Sequence, residues 1–164
     1  MSNIREDQVS PHFRFRMECY DRDGRKKWED EFRNTVMILG KNYLLNNNFQ
    51  LGTYTQAWYG GIMGTGTVGN TDSMGTHSGW TETTAYTGTN RPAYNPAAAV
   101  GGTSTVAALS YSMNGTYTVG GMFITTNQPV SGTVGTMYSA GFIATPRTGA
   151  SGDTINITPT LVIA

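Results

Sequence analysis

A single cysteine, Cys19, stands in 164 residues, which excludes any intrachain disulfide. It falls in an alternating run and reads as a small buried hydrophobe, a usage that fits assembly in a reducing compartment. Charge is scarce as well: Asp, Glu, Lys and Arg make up 13% of the chain, and the formal net charge is zero. No general electrostatic pull toward nucleic acid or an anionic membrane follows from such a balance. No apolar run approaches the roughly 18 residues that a spanning helix needs, and Met1–Asp7 lacks the apolar stretch of a signal peptide. There are only two histidines, His12 and His77, and no Gly-x-Ser-x-Gly nucleophile elbow.

The few charges are unevenly placed. Nine of the eleven Lys and Arg and eight of the eleven acids fall in residues 1–45. The remaining 119 residues carry five: Asp72, Glu82, Arg91, Arg147 and Asp153. A surface with so little charge is kept in solution by Thr and Asn, or is covered by partners. Twenty-one Gly with abundant Thr, Tyr and Val point to strands and turns.

Residues 1–11, which include Arg5, read as an extended arm: either a disordered terminus or a docking segment. From His12 the chain reads as one domain to residue 164. Phe13, Phe15, Met17 and Cys19 alternate with Arg14, Arg16 and Glu18, the period of a half-buried strand. Asp21-Arg-Asp-Gly24 reads as a turn, not a calcium loop, because the remaining ligand positions are wrong. Lys27–Val36 is the expected return strand, with Trp28 and Phe32 on its inner face. Asn34 or Thr35 is expected to cap one helix, with a core stripe at Val36, Leu39, Tyr43 and Leu44 and an end at Asn46-Asn-Asn.

Further strands are expected over Thr55–Met63, Val106–Met113, Thr116–Thr125, Val134–Ala144 and Thr154–Ile163. Asn114-Gly115 is a two-residue hairpin signal, and Gly149–Asp153 a turn. Gly64-Thr-Gly-Thr-Val-Gly69 matches a dinucleotide fingerprint, but no long helix or βαβ unit follows it. The fold expected is all-β, an antiparallel sandwich of jelly-roll type with about eight or nine strands and one short helix.

The rare polar types gather between Asn70 and Arg91: Asp72, His77, Trp80, Glu82, Tyr86 and Arg91. Asp72, His77 and Glu82 do not have a metal-ligand spacing. Asp72 reads as the cap of a short turn, Trp80 as an anchor, and Glu82 with Arg91 as an ion pair. Exposed Trp or Tyr would suit sugar stacking, against which stands the reading of Trp28, Trp58 and Trp80 as core anchors. No catalytic, cofactor-binding or metal-binding residue is expected.

The run Asp72-Ser-Met-Gly-Thr-His-Ser-Gly-Trp-Thr-Glu-Thr-Thr-Ala-Tyr86 with Arg91-Pro92 resembles a stretch found in a family of small tailed-bacteriophage virion proteins. Lys27-Trp-Glu, Leu44-Leu45, Ala57-Trp-Tyr-Gly-Gly, Val119-Gly-Gly-Met-Phe-Ile and Ser151-Gly-Asp-Thr-Ile-Asn-Ile-Thr extend the resemblance over residues 12–164. Members with a role resemble capsid cement, or decoration, proteins with a jelly-roll fold. The resemblance implies a non-enzymatic protein, made in the host cytoplasm and placed on the capsid exterior. Its partners would be the major capsid protein and further copies of itself, as a dimer or trimer. Arg5, Asp72, His77, Trp80, Glu82, Tyr86 and Arg91 are the candidate partner contacts. A tail fibre, a receptor-binding component or a carbohydrate-binding module are the alternatives.

Overall fold

The computed structural model describes residues 11–50 and 57–163. Arg5 and residues 1–10 lie outside the described residues, as do residues 55 and 56 of the expected strand at Thr55. The fold is an antiparallel sandwich of two sheets with one short helix. The first sheet has the order β2 (Lys26–Arg33), β1 (Pro11–Tyr20), β11 (Thr154–Ile163) and β7 (Thr103–Thr105). The short β8 (Leu109–Ser112) also pairs with β11, so β7 and β8 share one edge of that strand end to end. The second sheet runs β3 (Thr35–Val36), β10 (Met137–Gly149), β9 (Tyr117–Thr125), β4 (Trp58–Gly66) and β5 (Trp80–Glu82), with β6 (Ala93–Tyr94) also on β4. The first and last of these strands, β1 and β11, are direct neighbours, an arrangement of jelly-roll type.

Alternation works as expected in β1, where Phe13, Phe15, Met17 and Cys19 face inward. They meet Ile155 and Ile157 of β11 and, from the second sheet, Ile62, Met122, Ile124 and Tyr138. The β1–β2 turn closes where Asp21 accepts from the amides of Asp23 and Arg25, both at 2.9 Å. Gly24 takes a positive φ of 78° there. The outer face of this hairpin carries ion pairs among Arg16, Glu18, Lys26 and Glu29.

The second sheet is buried on both faces. Met63, Phe123, Met137 and Ala140 point away from the main core into a second apolar cluster, roofed by Met37, Met74 and Trp80. Gly61 leaves room for the ring of its cross-strand neighbour Phe123, which a Cβ there would strike. Trp58 and Trp80 are thus core anchors, and Trp28 is half-buried beneath the Arg147 guanidinium.

Three expectations are corrected. The helix α1 runs Ile38–Phe49, not from Val36 to Leu45. Thr35–Val36 instead adds a β-bridge pair to the edge of β10, and the Asn34 carboxamide accepts from the Phe13 amide at 2.6 Å, so neither residue caps. Asn46-Asn-Asn does not end the helix, because Asn47 and Asn48 donate to the carbonyls of Tyr43 and Leu44, both at 2.8 Å, one turn back. The face toward the sheet is Gly40 with Tyr43 and Leu44, while Leu39 is exposed. Second, the strand expected over Val106–Met113 is only Leu109–Ser112, with Leu109 and Tyr111 inward. Third, Asn114-Gly115 makes no hairpin. The strands on either side of it belong to different sheets, and Gly115 does not take the positive φ that a type I′ turn requires. The Asn114 amide donates to the Ala85 carbonyl instead, at 3.1 Å.

A polar bolt joins the two sheets at the end where β10 passes to β11. One oxygen of Asp153 accepts from Lys27 Nζ at 2.7 Å, Tyr117 Oη at 2.8 Å and the Ala150 amide at 3.3 Å. The Cys19 thiol lies 3.3 Å from the same Tyr117 hydroxyl. With that hydroxyl donating to Asp153, the thiol is left to donate to it. Burial pushes the thiol up, which keeps it protonated for that role. Among the described residues no helix is long and apolar enough to cross a membrane.

Two outcomes follow from these contacts. Ala is a better helix former than Gly, yet Gly40→Ala is expected to lower stability by about 1–3 kcal/mol, because the new Cβ meets the Tyr138 carbonyl. Urea unfolding measures it, and a stabilised variant would contradict the close helix–sheet approach. Burial alone would raise the Asp153 carboxyl, but the hydrogen bonds from Lys27, Tyr117 and Ala150 outweigh it and hold it below its ordinary value. Its stabilising effect is therefore full above the unfolded value of about 3.9 and is lost as pH falls through the folded value. Asp153→Asn should unfold less steeply with acid below about pH 4 than the parent, by circular dichroism.

Candidate functional site

The stretch from Asn70 to Arg91 covers the outer face of the second sheet with Met74 and Trp80, adds β5 to its edge, and divides into two halves. In the first, Asp72 brackets a turn: its amide donates to the Gly69 carbonyl and its carboxylate accepts from the Gly69 amide, both at 3.1 Å. The same carboxylate oxygen takes the indole N–H of Trp80 at 3.0 Å. This fixes the indole over Phe123, with ring centroids 5.1 Å apart. His77 stacks on the other side of Trp80 at 4.0 Å, and its Nδ1 lies 3.2 Å from the Trp80 carbonyl oxygen. A carbonyl only accepts, so the Nδ1–H tautomer makes that bond.

In the second half, β5 delivers Glu82 and the segment before β6 delivers Arg91. They form a bidentate pair, with Nε to Oε1 at 2.7 Å and Nη2 to Oε2 at 2.9 Å. The Arg91 side chain is 0% exposed and that of Glu82 9%. Nη1 donates to the backbone and side-chain oxygens of Asn127 at 2.7 and 3.1 Å, and Nη2 also donates to the Gly132 carbonyl at 3.4 Å. Five hydrogen bonds thus use the five donors of the guanidinium. The plane sits over the Phe123 ring, 5.1 Å from its centre, a cation–π contact that also shields the second core.

The loop between β9 and β10 is shaped by this pair. Ser131 donates its amide to Glu82 Oε2 at 2.8 Å from a left-handed φ of 59°. Gly132 lies so close that a Cβ would strike the Asn127 carboxamide, and Asn127 donates in turn to the Val134 carbonyl at 2.6 Å. A cleft of about 220 Å³ remains between the two halves, lined by Met74, His77, Trp80, Arg91, Ser131 and Thr133.

Five of the six candidates in the stretch therefore meet around Phe123: Asp72, His77 and Trp80 on one side, Glu82 and Arg91 on the other. Tyr86 does not join them. It is buried in the main core, edge-on to Tyr111 at 5.2 Å, and burial foremost raises its phenol well above the ordinary value. Trp80, Tyr86 and Arg91 are enclosed by this chain itself. Asp72 and His77 are half-buried and remain the outward-facing members. Asn127, Ser131 and Gly132 complete the clamp and carry no spacing signal that ties them to Arg91.

Asp72, His77 and Glu82, evenly spaced in sequence, turn to Trp80, the Trp80 carbonyl and Arg91 respectively. The chain matches no protein-family model, no curated protein and no solved structure.

Removing one partner of a buried pair leaves the other charge uncompensated. Arg91→Ala is expected to cost about 3–5 kcal/mol, measured by chemical denaturation. Arg91→Met combined with Glu82→Gln should recover part of that loss. If Arg91→Ala alone unfolds with the parent midpoint, the clamp does not hold the loop.

Proposed function

We propose that this chain is a non-enzymatic structural protein of a bacteriophage particle. Its role is that of a cement or decoration protein, which bridges subunits of the major capsid protein on the outside of the shell. One observation carries the reading beyond the resemblance: the polar groups of Asn70–Arg91 are spent on bracing. Asp72 holds Trp80, and Glu82 holds Arg91, which holds the Asn127–Gly132 loop. A body that resists pressure from packaged DNA needs a fixed shape more than a reactive cleft. Burial of the second sheet on both faces supplies such a shape.

The mixed-charge face of the β1–β2 hairpin and the half-buried Asp72 and His77 are the groups left to meet a capsid lattice. Exposed ion pairs such as Arg16–Glu29 contribute little to folding, so they are free to exchange partners at small cost. Many equivalent copies on one shell make weak individual contacts sufficient.

Quantitative mass spectrometry of purified virions decides the matter. Hundreds of copies per particle are expected. A handful of copies would overturn the cement role in favour of a tail fibre or receptor-binding component, and none would remove the chain from the particle.

A further inference from the structure

The helix α1 is amphipathic in the wrong direction for a helix that only packs on its own sheet. Its inward face is Gly40, set against the Tyr138 carbonyl, with Tyr43 edge-on to Trp58 at 5.0 Å and Leu44 half-buried. Its outward face carries Ile38, Asn42, Leu45 and Phe49, spaced four, three and four apart. Ile38 is 43% exposed, Leu45 57% and Phe49 81%. No described residue covers this row, and contiguous exposed apolar rows mark interaction sites.

The geometry points to a second copy of this chain as the cover: we propose that two α1 helices pair antiparallel about a two-fold axis. The four–three–four spacing is the seam of a coiled coil, and one polar residue in such a seam, here Asn42, is the usual device for fixing register. With the axis between Asn42 and Leu45, Ile38 of each chain meets Phe49 of the other, and the two Asn42 amides flank the axis. Charge favours this direction. Lys41 is the only charged residue of the helix and lies near its N-terminus, where the macrodipole opposes it, while the last turn has no basic residue. Antiparallel pairing moves each Lys41 beside the other helix's C-terminal turn, where a cation is favoured. No acidic residue on α1 would be matched by a differently charged partner. A helix of 12 residues is about 18 Å long. A seam of that length falls below the roughly 1,600 Å² of a standard interface, so the dimer is weak and is sought at high concentration. This inference stands on α1 alone and does not rest on the cement role.

Sedimentation equilibrium of the full chain, up to about 1 mM, should give twice the 17.7 kDa chain mass. Leu45→Glu with Phe49→Glu should return it to the single mass. Its circular dichroism should keep the parent's shape and its melting should fall only slightly, because both side chains are mostly exposed and the two acids oppose only the helix macrodipole. Direction is read from single-cysteine variants under oxidation, with Cys19 buried and silent. Asn42→Cys should give a covalent dimer at least tenfold more abundant than Ile38→Cys, whose positions lie about 16 Å apart along an antiparallel pair. A wild-type monomer at every concentration, a threefold mass, or a dimer indifferent to the glutamates would overturn the seam. Equal cross-linking at both positions would overturn the antiparallel arrangement.

Discussion

The structure depends on a single ion pair placed where it is expensive. Removing a guanidinium and a carboxylate from water costs several kcal/mol for each ion, and the Arg91 side chain is fully enclosed. The cost is offset because no donor of Arg91 goes unused and the aromatic ring beneath it faces the cation. An apolar pair of the same volume would fill the space but would not choose among loop conformations. The ions do, since carbonyls from Asn127 and Gly132 must both turn toward one guanidinium. The second core can therefore remain dry beneath two segments that have almost no regular structure.

Local patterns were legible where a residue's neighbours in sequence are also its neighbours in space. Period-two alternation placed Phe13 to Cys19 inward, and an Asx-type turn at Asp21 to Gly24 gave the hairpin its closure. The pairing of Glu82 with Arg91 was legible for a different reason: with five charges in 119 residues, few alternatives existed. What stayed hidden was which sheet a strand joins. Asn114-Gly115 has hairpin chemistry, but Leu109 and Tyr111 pack from one sheet while Tyr117 and Val119 belong to the other. The helix end was hidden too, because asparagine side chains returned their hydrogen bonds to the helix that they were expected to stop.

The largest side chains of the Asp72–Arg91 stretch are interior, although half of its residues are exposed. Trp80 and Arg91 serve the second core, and Tyr86 serves the first. The polar groups of this stretch serve to brace it. Besides Asp72 and His77, open surface lies on the charged hairpin and on the outer side of α1, two faces of opposite character: one rich in paired charge, the other apolar with a single lysine. On the proposed cement role, a charged face that tolerates a lattice and an apolar face that recognises its own kind would divide the work of attachment and self-association.

The neighbouring positions of β1 and β11 set a schedule for synthesis. Tyr20 pairs with Thr154 and Pro11 with Ile163, so the strand that covers one edge of the N-terminal hairpin is made long after the hairpin itself. At ribosomal rates the interval is on the order of ten seconds. Throughout it Phe13, Phe15 and Met17 have neither their central partner strand nor a closed sandwich above them. For that interval the nascent chain carries an open sheet edge and a greasy face. The outer side of that hairpin carries Arg14, Arg16, Glu18, Glu29 and Glu31, charges of the kind that discourage association through an open edge.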